Sequence, residues 1–595
     1  MPLSLPATVS VAIALTVGLA APPLAAQTPA QTPVQAPVQA PAHKPAHNPA
    51  HKPAQLAAKA PNGVTDLAPF DRSPVPYAPA ADLRPLPAHW QHGAFIEIFV
   101  RAWKDSDGDG IGDLRGLTST LDHLQDLGVK GIWLMPVQAN ADGDHGYATT
   151  DYRAIAPEYG TLADMDELLR QARRRGIGVI VDYVVNHSAA QHPAFVEALK
   201  GPDNPYRAWY VWSEDAPQGW DIWGKNPWYH AAARPWLFDG EPKDIPPPPP
   251  GARHHYFGTF GPHMPDFNFA HPPVLDYHLA SLRFWMNRGL AGYRLDAVPH
   301  LFEGEATNWN DPPASRTLTR RLQDEINRYP GAYAVCEATS KPQDYAAPEV
   351  CGAAFAFGHT QNYVKAVQGD AAAVQALARY WDTAPAGMAT FVSNHDIFAG
   401  LRLWDQVAGD ETAYRLVAAT YLLQPGTPFI YYGEEIGQAG IPGLKGDRPL
   451  RGPYSWTADA ATAGFTSGRP FRSVAPNVAS HNLAAQRADP QSLFNFYKAL
   501  LRLRNTQPSI ARGQWLRARA DGLVLSWQRQ LGPELTVVAI NYGTTPAGAD
   551  IAGLPPGAVL AALHPDTLGR VQADGAGLAR VVMPARSLRV FRVRP

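Results

Sequence analysis

Gly178-Val179-Ile180-Val181-Asp182-Tyr183-Val184-Val185-Asn186-His187 is a near-continuous apolar run that carries one acid and stops at an amide and an imidazole. Its length and β-branched content predict a strand buried on both faces, not an alternating surface strand. The pattern recurs at Gly292-Tyr293-Arg294-Leu295-Asp296, at Ala332–Glu337 and at Ala389–Ser393 followed by Asn394-His395-Asp396. Phe95–Val100, Gly131–Met135 and Thr427–Tyr432 are further apolar runs without the polar ending. Helical periods lie between them. Leu117–Leu127 places Leu117, Leu121, Leu124 and Leu127 on one face, and Met165–Arg175 and Leu318–Arg328 repeat the pattern. Buried strands alternating with helices predict a parallel sheet, and about eight of them over roughly 400 residues predict an α/β (β/α)8 TIM barrel.

The barrel is expected at 81–187 and 276–510, with a Trp-, Pro- and Gly-rich inserted domain after strand 3 at 188–275, including the Pro246–Pro250 run. Residues 511–595 lose the helical pattern and show short runs such as Leu523–Gln528 and Leu535–Asn541 between turns. They predict a C-terminal all-β sandwich. At the other end, Ser10–Ala21 is apolar and uncharged, with small residues following at Ala25 and Ala26, so residues 1–26 read as an export signal. The run is shorter than the ~20 residues of a spanning helix, so no membrane anchor is expected in the mature form. Residues 27–80 form a Pro/Ala-rich spacer. The protein is therefore expected to be exported, to the periplasm or beyond. Its two cysteines, Cys336 and Cys351, either pair there or remain buried thiols. The formal charge of −2 is spread through the chain and leaves no basic patch for nucleic acid. Oligomeric state is not legible.

Strand order brings the acids together. In a barrel of this kind the carboxyl ends of the strands face one site. Asp182, Asp296, Glu337 and Asp396 fall there. Two carboxyl groups flanking a bond, one a nucleophile and one a proton donor, are the machinery of retaining glycoside cleavage. Arg294 lies two residues before Asp296 and so shares its face of the strand, which keeps Asp296 ionised. Asp296 is accordingly read as nucleophile and Glu337 as acid/base, with Asp182 supporting the cluster. A second acidic feature, Asp105-Ser106-Asp107-Gly108-Asp109-Gly110-Ile111-Gly112-Asp113, places carboxylates at alternate positions. Such a loop supplies the oxygen ligands Ca²⁺ prefers, and predicts a structural Ca²⁺ site formed by Asp105, Asp107, Asp109, the Ile111 carbonyl and Asp113.

Asp-x-Val-x-Asn-His at 182–187, Gly-x-Arg-x-Asp at 292–296, Asn-His-Asp at 394–396, Met264-Pro265-Asp266-Phe267-Asn268 and Gly426–Glu435 resemble the motifs of glycoside hydrolase family 13, the α-amylase family, over nearly the whole chain after residue 90. The resemblance implies the same roles for Asp296 and Glu337 and makes Asp396 a transition-state stabiliser. It implies sugar contacts from His145, Tyr147, His187 and His395, a His beyond the cut bond at His300, and Arg294 orienting the nucleophile. Two positions depart from the pattern. Cys336 stands where many members have Gly, and Ala148 stands where exo-acting α-glucosidases carry an acid that grips the terminal sugar. The latter favours internal cutting of α-1,4-glucans, so an α-amylase acting on starch or malto-oligosaccharides is the expected activity. Arg451-Gly452-Pro453-Tyr454-Ser455-Trp456 and Ala463-Gly464-Phe465-Thr466 instead resemble the glucosidase and trehalose-synthase side. The alternative is thus an α-glucosidase or a transferring or isomerising relative. A non-catalytic carbohydrate-binding protein on the same fold is a second alternative, opposed by the intact acids.

Overall fold

The computed structural model of the protein describes residues 70–231, 253–566 and 570–594. The expected export signal, the spacer up to residue 69 and the Pro246–Pro250 run lie outside them.

Eight parallel strands close into a barrel: β1 (Phe95–Ile98), β2 (Gly131–Leu134), β3 (Gly178–Tyr183), β4 (Gly292–Leu295), β5 (Tyr333–Cys336), β6 (Ala354–Phe355), β7 (Met388–Thr390) and β8 (Thr427–Tyr431). Each strand pairs with its sequence neighbours, and closure comes where Phe95 lies opposite both Gly131 and Phe429. Phe95, Trp133, Ile180, Val335, Phe355 and Phe429 pack together inside the barrel. Gly131 is required by that packing, because a Cβ there would stand 2.3 Å from the Phe95 ring. Strand β6 escapes the sequence reading because two residues carry no period. The helix expected at Leu117–Leu127 is two, Leu114–Ser119 and Leu121–Leu127. Between them the Thr120 hydroxyl accepts from Trp103 Nε1 at 2.8 Å, and its backbone leaves the helical region.

The insertion after β3 forms a small sheet of Trp212–Ser213, His255–Phe257 and Trp228–His230. It is tied to the barrel where the Phe267 amide donates to the Asn186 carbonyl at 2.9 Å. The C-terminal strands begin at Gln514, after the short helix Pro508–Arg512. A six-stranded sheet and the pair Ala547–Ile551 and Ala579–Met583 bury Val537, Ile551, Val581 and Phe591 between them, as a sandwich requires. Cys336 and Cys351 form a disulfide.

Residues 70–80 correct the expected spacer boundary. The Phe70 ring packs edge-on to Trp209 and Tyr277, Arg153 donates to the Ser73 carbonyl at 2.9 Å, and the Ala78 amide donates to Asn287 at 2.9 Å. Their Pro-rich composition resembles the spacer, but one aromatic anchor and paired backbone groups hold them on the barrel. No helix among the described residues is long and apolar enough to cross a membrane.

Just beyond β8, Glu434 and Glu435 are buried. Glu434 accepts from Tyr421 and Tyr497 at 2.5 and 2.8 Å, and Glu435 from Tyr454 at 2.6 Å. Burial raises both carboxyls from 4.5 to about 7, against the lowering effect of the tyrosine hydroxyls. A carboxyl with a raised folded pKa stabilises the native state below its unfolded value and loses that contribution as pH rises through the folded value. Stability should therefore decline between pH ~5 and ~8. In the double variant Glu434→Gln/Glu435→Gln the decline in Tm across this window should be visibly shallower. A slope equal to that of the wild type would remove these two groups as its cause.

Candidate active site

The site lies at the carboxyl ends of the strands, where each acid emerges from a buried segment. Gly292 opens β4 at φ 147°, and a Cβ there would meet the Tyr333 carbonyl oxygen at 1.6 Å, so only glycine lets β4 and β5 approach. That contact sets Asp296, directly after β4, beside Glu337, directly after β5.

Arg294 joins the acids. Its Nη1 contacts Asp182 Oδ1 at 2.8 Å and, more tightly, Asp296 Oδ1, while Nη2 meets Glu337 Oε2 at 3.0 Å. All four side chains are buried. Burial raises the proton affinity of Asp296, as do Glu337 and Asp182, and Arg294 opposes them. Asp182 is likewise raised by burial against the pull of Arg294 and His395. Crowded around one guanidinium, Asp182 and Asp296 thus hold a proton more tightly than isolated acids. The Ala297 amide donates to Glu337 Oε2 at 3.0 Å and fixes that side chain.

A second network holds Asp396, which lies in the loop beyond β7. His395 Nε2 is 3.0 Å from Asp396 Oδ2 and 2.7 Å from the Tyr147 hydroxyl, and its Nδ1 is 2.6 Å from Glu97 Oε1. Tyr147 donates in turn to Asp182 Oδ2 at 2.7 Å, which connects the two networks. Burial alone would lower His395, but Asp396 and Glu97 raise it to about 10, so the ring is charged at neutral pH. Despite burial, His395 and Arg451 hold Asp396 below the usual carboxylate range. Arg451 Nη2 reaches Asp396 at 3.2 Å and Asp447 at 3.2 Å.

Of the sugar-contact candidates, His145, Tyr147 and His187 line one cleft of about 650 Å³, whereas His395 is fully buried against Tyr147 and Asp396. The cleft lining also includes Asp296, Glu337 and Asp396. His187 hydrogen-bonds through Nε2 to the Tyr147 carbonyl at 3.2 Å and lies 3.0 Å from Asn186 Oδ1. His145 is 3.2 Å from Asp142. His300 stacks on Trp309, with ring centres 5.4 Å apart, next to the cleft residues Trp223 and Phe260. Ala148 is buried, with its amide donating to Asp142 Oδ2 at 3.0 Å, so it presents no polar group to a sugar.

In the acidic loop, Asp105, Asp107 and Asp109 place carboxylate oxygens within 4.8 Å of one another. Asp113 closes the loop. It caps the helix Leu114–Ser119 by accepting from the Gly116 amide at 2.7 Å, and it also accepts from Ser106 N and Oγ at 2.8 and 2.9 Å. The Ile111 amide donates to Asp109 Oδ1 at 2.8 Å.

Glu97 was missed by sequence reading, although a lone acid inside the apolar run Phe95-Ile96-Glu97-Ile98 is a signal, because a buried acid needs a partner. Asp447, Trp223 and Phe260 were missed as site residues because no local pattern marks them, and Arg451 because its segment carries a resemblance but not a position in the site. They reach the cleft only through the insertion and the loops after β7 and β8.

Residues 97–513 match the family model for the α-amylase catalytic domain. A trehalose synthase/amylase of Mycolicibacterium smegmatis is 34% identical over 480 residues, covering 72% of this chain and 78% of its own. The Mycobacterium tuberculosis counterpart is 31% identical over 516 residues, covering 78% and 84%. Among solved structures, an α-glucosyl transfer enzyme, XgtA, superposes with TM-score 0.71 at 25% identity, covering 85% of this chain and 99% of its own. An α-amylase from H. orenii superposes with TM-score 0.68 at 28% identity, covering 85% and 100%.

Proposed function

This chain belongs to the α-amylase family of glycoside hydrolases, and we propose that within it the protein is a retaining α-glucosyl enzyme of the glucosidase, transferring or isomerising kind rather than a starch-cutting α-amylase. The supporting relatives are named trehalose synthase/amylase and α-glucosyl transfer enzyme. The observation that carries the proposal is Arg451. It opens the segment that resembles the glucosidase and trehalose-synthase side, lines the cleft, and bonds directly to Asp396. A guanidinium at the floor of the cleft suits a small sugar held by its end. Ala148 favours the other reading, internal cutting of a glucan, and replaces the end-gripping acid with a methyl group.

In the proposed reaction the Glu337 carboxyl gives its proton to the leaving oxygen while Asp296 bonds to the anomeric carbon. The Glu337 carboxylate then takes a proton from water or from a sugar hydroxyl, whose oxygen displaces Asp296 with retention. Arg294, in tighter contact with Asp296 than with Glu337, favours the charged form of the nucleophile against the burial that raises its proton affinity. Asp396, Arg451 and His395 shape the charge around the sugar ring. Chromatography of products from maltose, trehalose, sucrose and starch tests the reading. Glucose or an isomerised disaccharide from a small sugar, with starch scarcely cut, is expected. Early oligosaccharides from starch would restore the amylase assignment.

We also propose that Asp105, Asp107 and Asp109, with the Ile111 carbonyl and Asp113, hold a structural Ca²⁺. Crowding, after burial, raises the Asp109 carboxyl, and a hard divalent cation relieves that repulsion with oxygen ligands. The loop is tied to a segment distant in sequence, since Thr466 donates to Asp105 Oδ2 at 2.5 Å. Removing the ion with EDTA should lower Tm by several degrees, with Ca²⁺ restoring it, as for any ligand that binds only the native state. An unchanged Tm would leave the cluster as a solvated loop. Export is supported by the disulfide, which an oxidising compartment preserves.

A further inference from the structure

Glu337 stands at the most thinly paired seam of the barrel. On one side β5 pairs with β4 at four positions, from Tyr333 opposite Gly292 to Cys336 opposite Leu295. On the other side it pairs with β6 only where Cys336 lies opposite Ala354, and β6 itself has just two residues. The contacts that fix Glu337 come from the β4 side as well. Its amide donates to the Leu295 carbonyl at 2.9 Å, its Oε2 accepts from the Ala297 amide, and Arg294 meets the same oxygen.

The chain's two cysteines form their disulfide at this seam. It joins the last residue of β5 to a turn just before β6, with Cα atoms 6.3 Å apart, and both residues are fully buried. Side chains alternate along a strand, so Val335 and Glu337 share one face and Cys336 takes the other. Val335 packs inside the barrel, whereas Cys336 belongs to the core that surrounds it. The bridge therefore braces β5 from behind and takes no room in the cleft. The Cys336 amide donates to the Ala353 carbonyl at 2.9 Å, and the Cys351 amide to that of Tyr345 at 3.1 Å. The stretch of chain enclosed by the bond begins with Glu337 and includes Thr339, which lines the cleft. It also includes Lys341 at φ 47°, a left-handed conformation that persists only where its surroundings fix it.

We infer, resting on Glu337 as the acid/base, that the Cys336–Cys351 bond is a positioning element of the reaction. It supplies the brace that β6 is too short to give, and it keeps the Glu337 carboxyl in line with the leaving oxygen. Neither sulfur touches the sugar. Without the bond, the end of β5 has one strand pair on that side, and Glu337 moves with it. Proton transfer requires the donor within hydrogen-bond reach of the leaving oxygen, and a shift of about 1 Å can cost on the order of 10²-fold in rate. Attack by Asp296 depends instead on β4, which keeps four paired positions with β3 whether or not the bond is present. The two roles should therefore separate when the bond is lost.

The test compares kcat/KM of the full-length protein on the small sugar it turns over and on 4-nitrophenyl α-glucoside, whose leaving group needs no proton. In Cys336→Ala/Cys351→Ala the value on the sugar should fall about 10- to 100-fold, the scale of a displacement of about 1 Å. The value on the nitrophenyl glucoside should change far less. Tm should fall too, because the unbridged chain gains freedom when unfolded. Cys336→Val/Cys351→Ala, whose combined bulk is close to that of the bridge, is therefore measured beside it. This pair should recover part of the Tm and keep the split between substrates. Equal losses on both substrates, no loss on either, or failure of both pairs to fold would overturn the inference and leave the bond as a brace for stability alone. The same split is measured in Glu337→Gln, and its absence there would overturn the assignment of Glu337 itself.

Discussion

Asp296→Asn should reduce turnover on any α-glucoside by more than about 10⁴-fold, the loss expected when a member of a catalytic unit is removed. The amide has the size of the carboxylate and can still accept from Arg294, but its oxygen is a poor nucleophile for the anomeric carbon. Folding should survive. The site crowds Asp182, Asp296 and Glu337 around one guanidinium. Replacing one charged member by a neutral isostere relieves repulsion while keeping the hydrogen bond. Tm should therefore remain within a few degrees of wild type or rise. Activity near wild type in a correctly folded variant would remove Asp296 from its role, whereas a collapse in Tm would make it primarily structural.

Glu337→Gln is expected to lower turnover of maltose by about 10²- to 10⁴-fold, the range for a general acid. The size of the loss should depend on the leaving group. A 4-nitrophenyl α-glucoside departs as a stabilised phenolate and needs no proton, so its first step should suffer far less. The glutamine oxygen can still accept from the Ala297 amide, which keeps the side chain in place. Equal losses on maltose and on the nitrophenyl glucoside would argue that Glu337 positions the sugar without transferring a proton. The split between substrates matters more than the size of either loss, because a misfolded site would lower both together.

Most of the barrel could be read in the sequence because its strands are buried on both faces. That environment demands continuous apolar runs, and seven of the eight strands have them. Ala354–Phe355 does not, since two residues suffice to bridge its neighbours. The helix break at Thr120 was hidden because the Leu periodicity runs unbroken across it, and the competing partner, Trp103, is supplied by another turn of chain. The spacer boundary failed for a related reason. Composition marks residues 70–80 as unable to build a core, but they need only rest on one already built.

The sequence by itself determined the barrel, the order of the acids around it and the pairing of Arg294 with Asp296. These follow from burial and from the two-residue repeat of a strand, both of which are local. Only the tertiary structure decided what surrounds those acids. Glu97 clamps His395 from 298 positions away, Arg451 reaches Asp396 from 55 positions away, and Trp223 swings to the cleft from the insertion. Those contacts depend on where loops of unpatterned sequence come to rest.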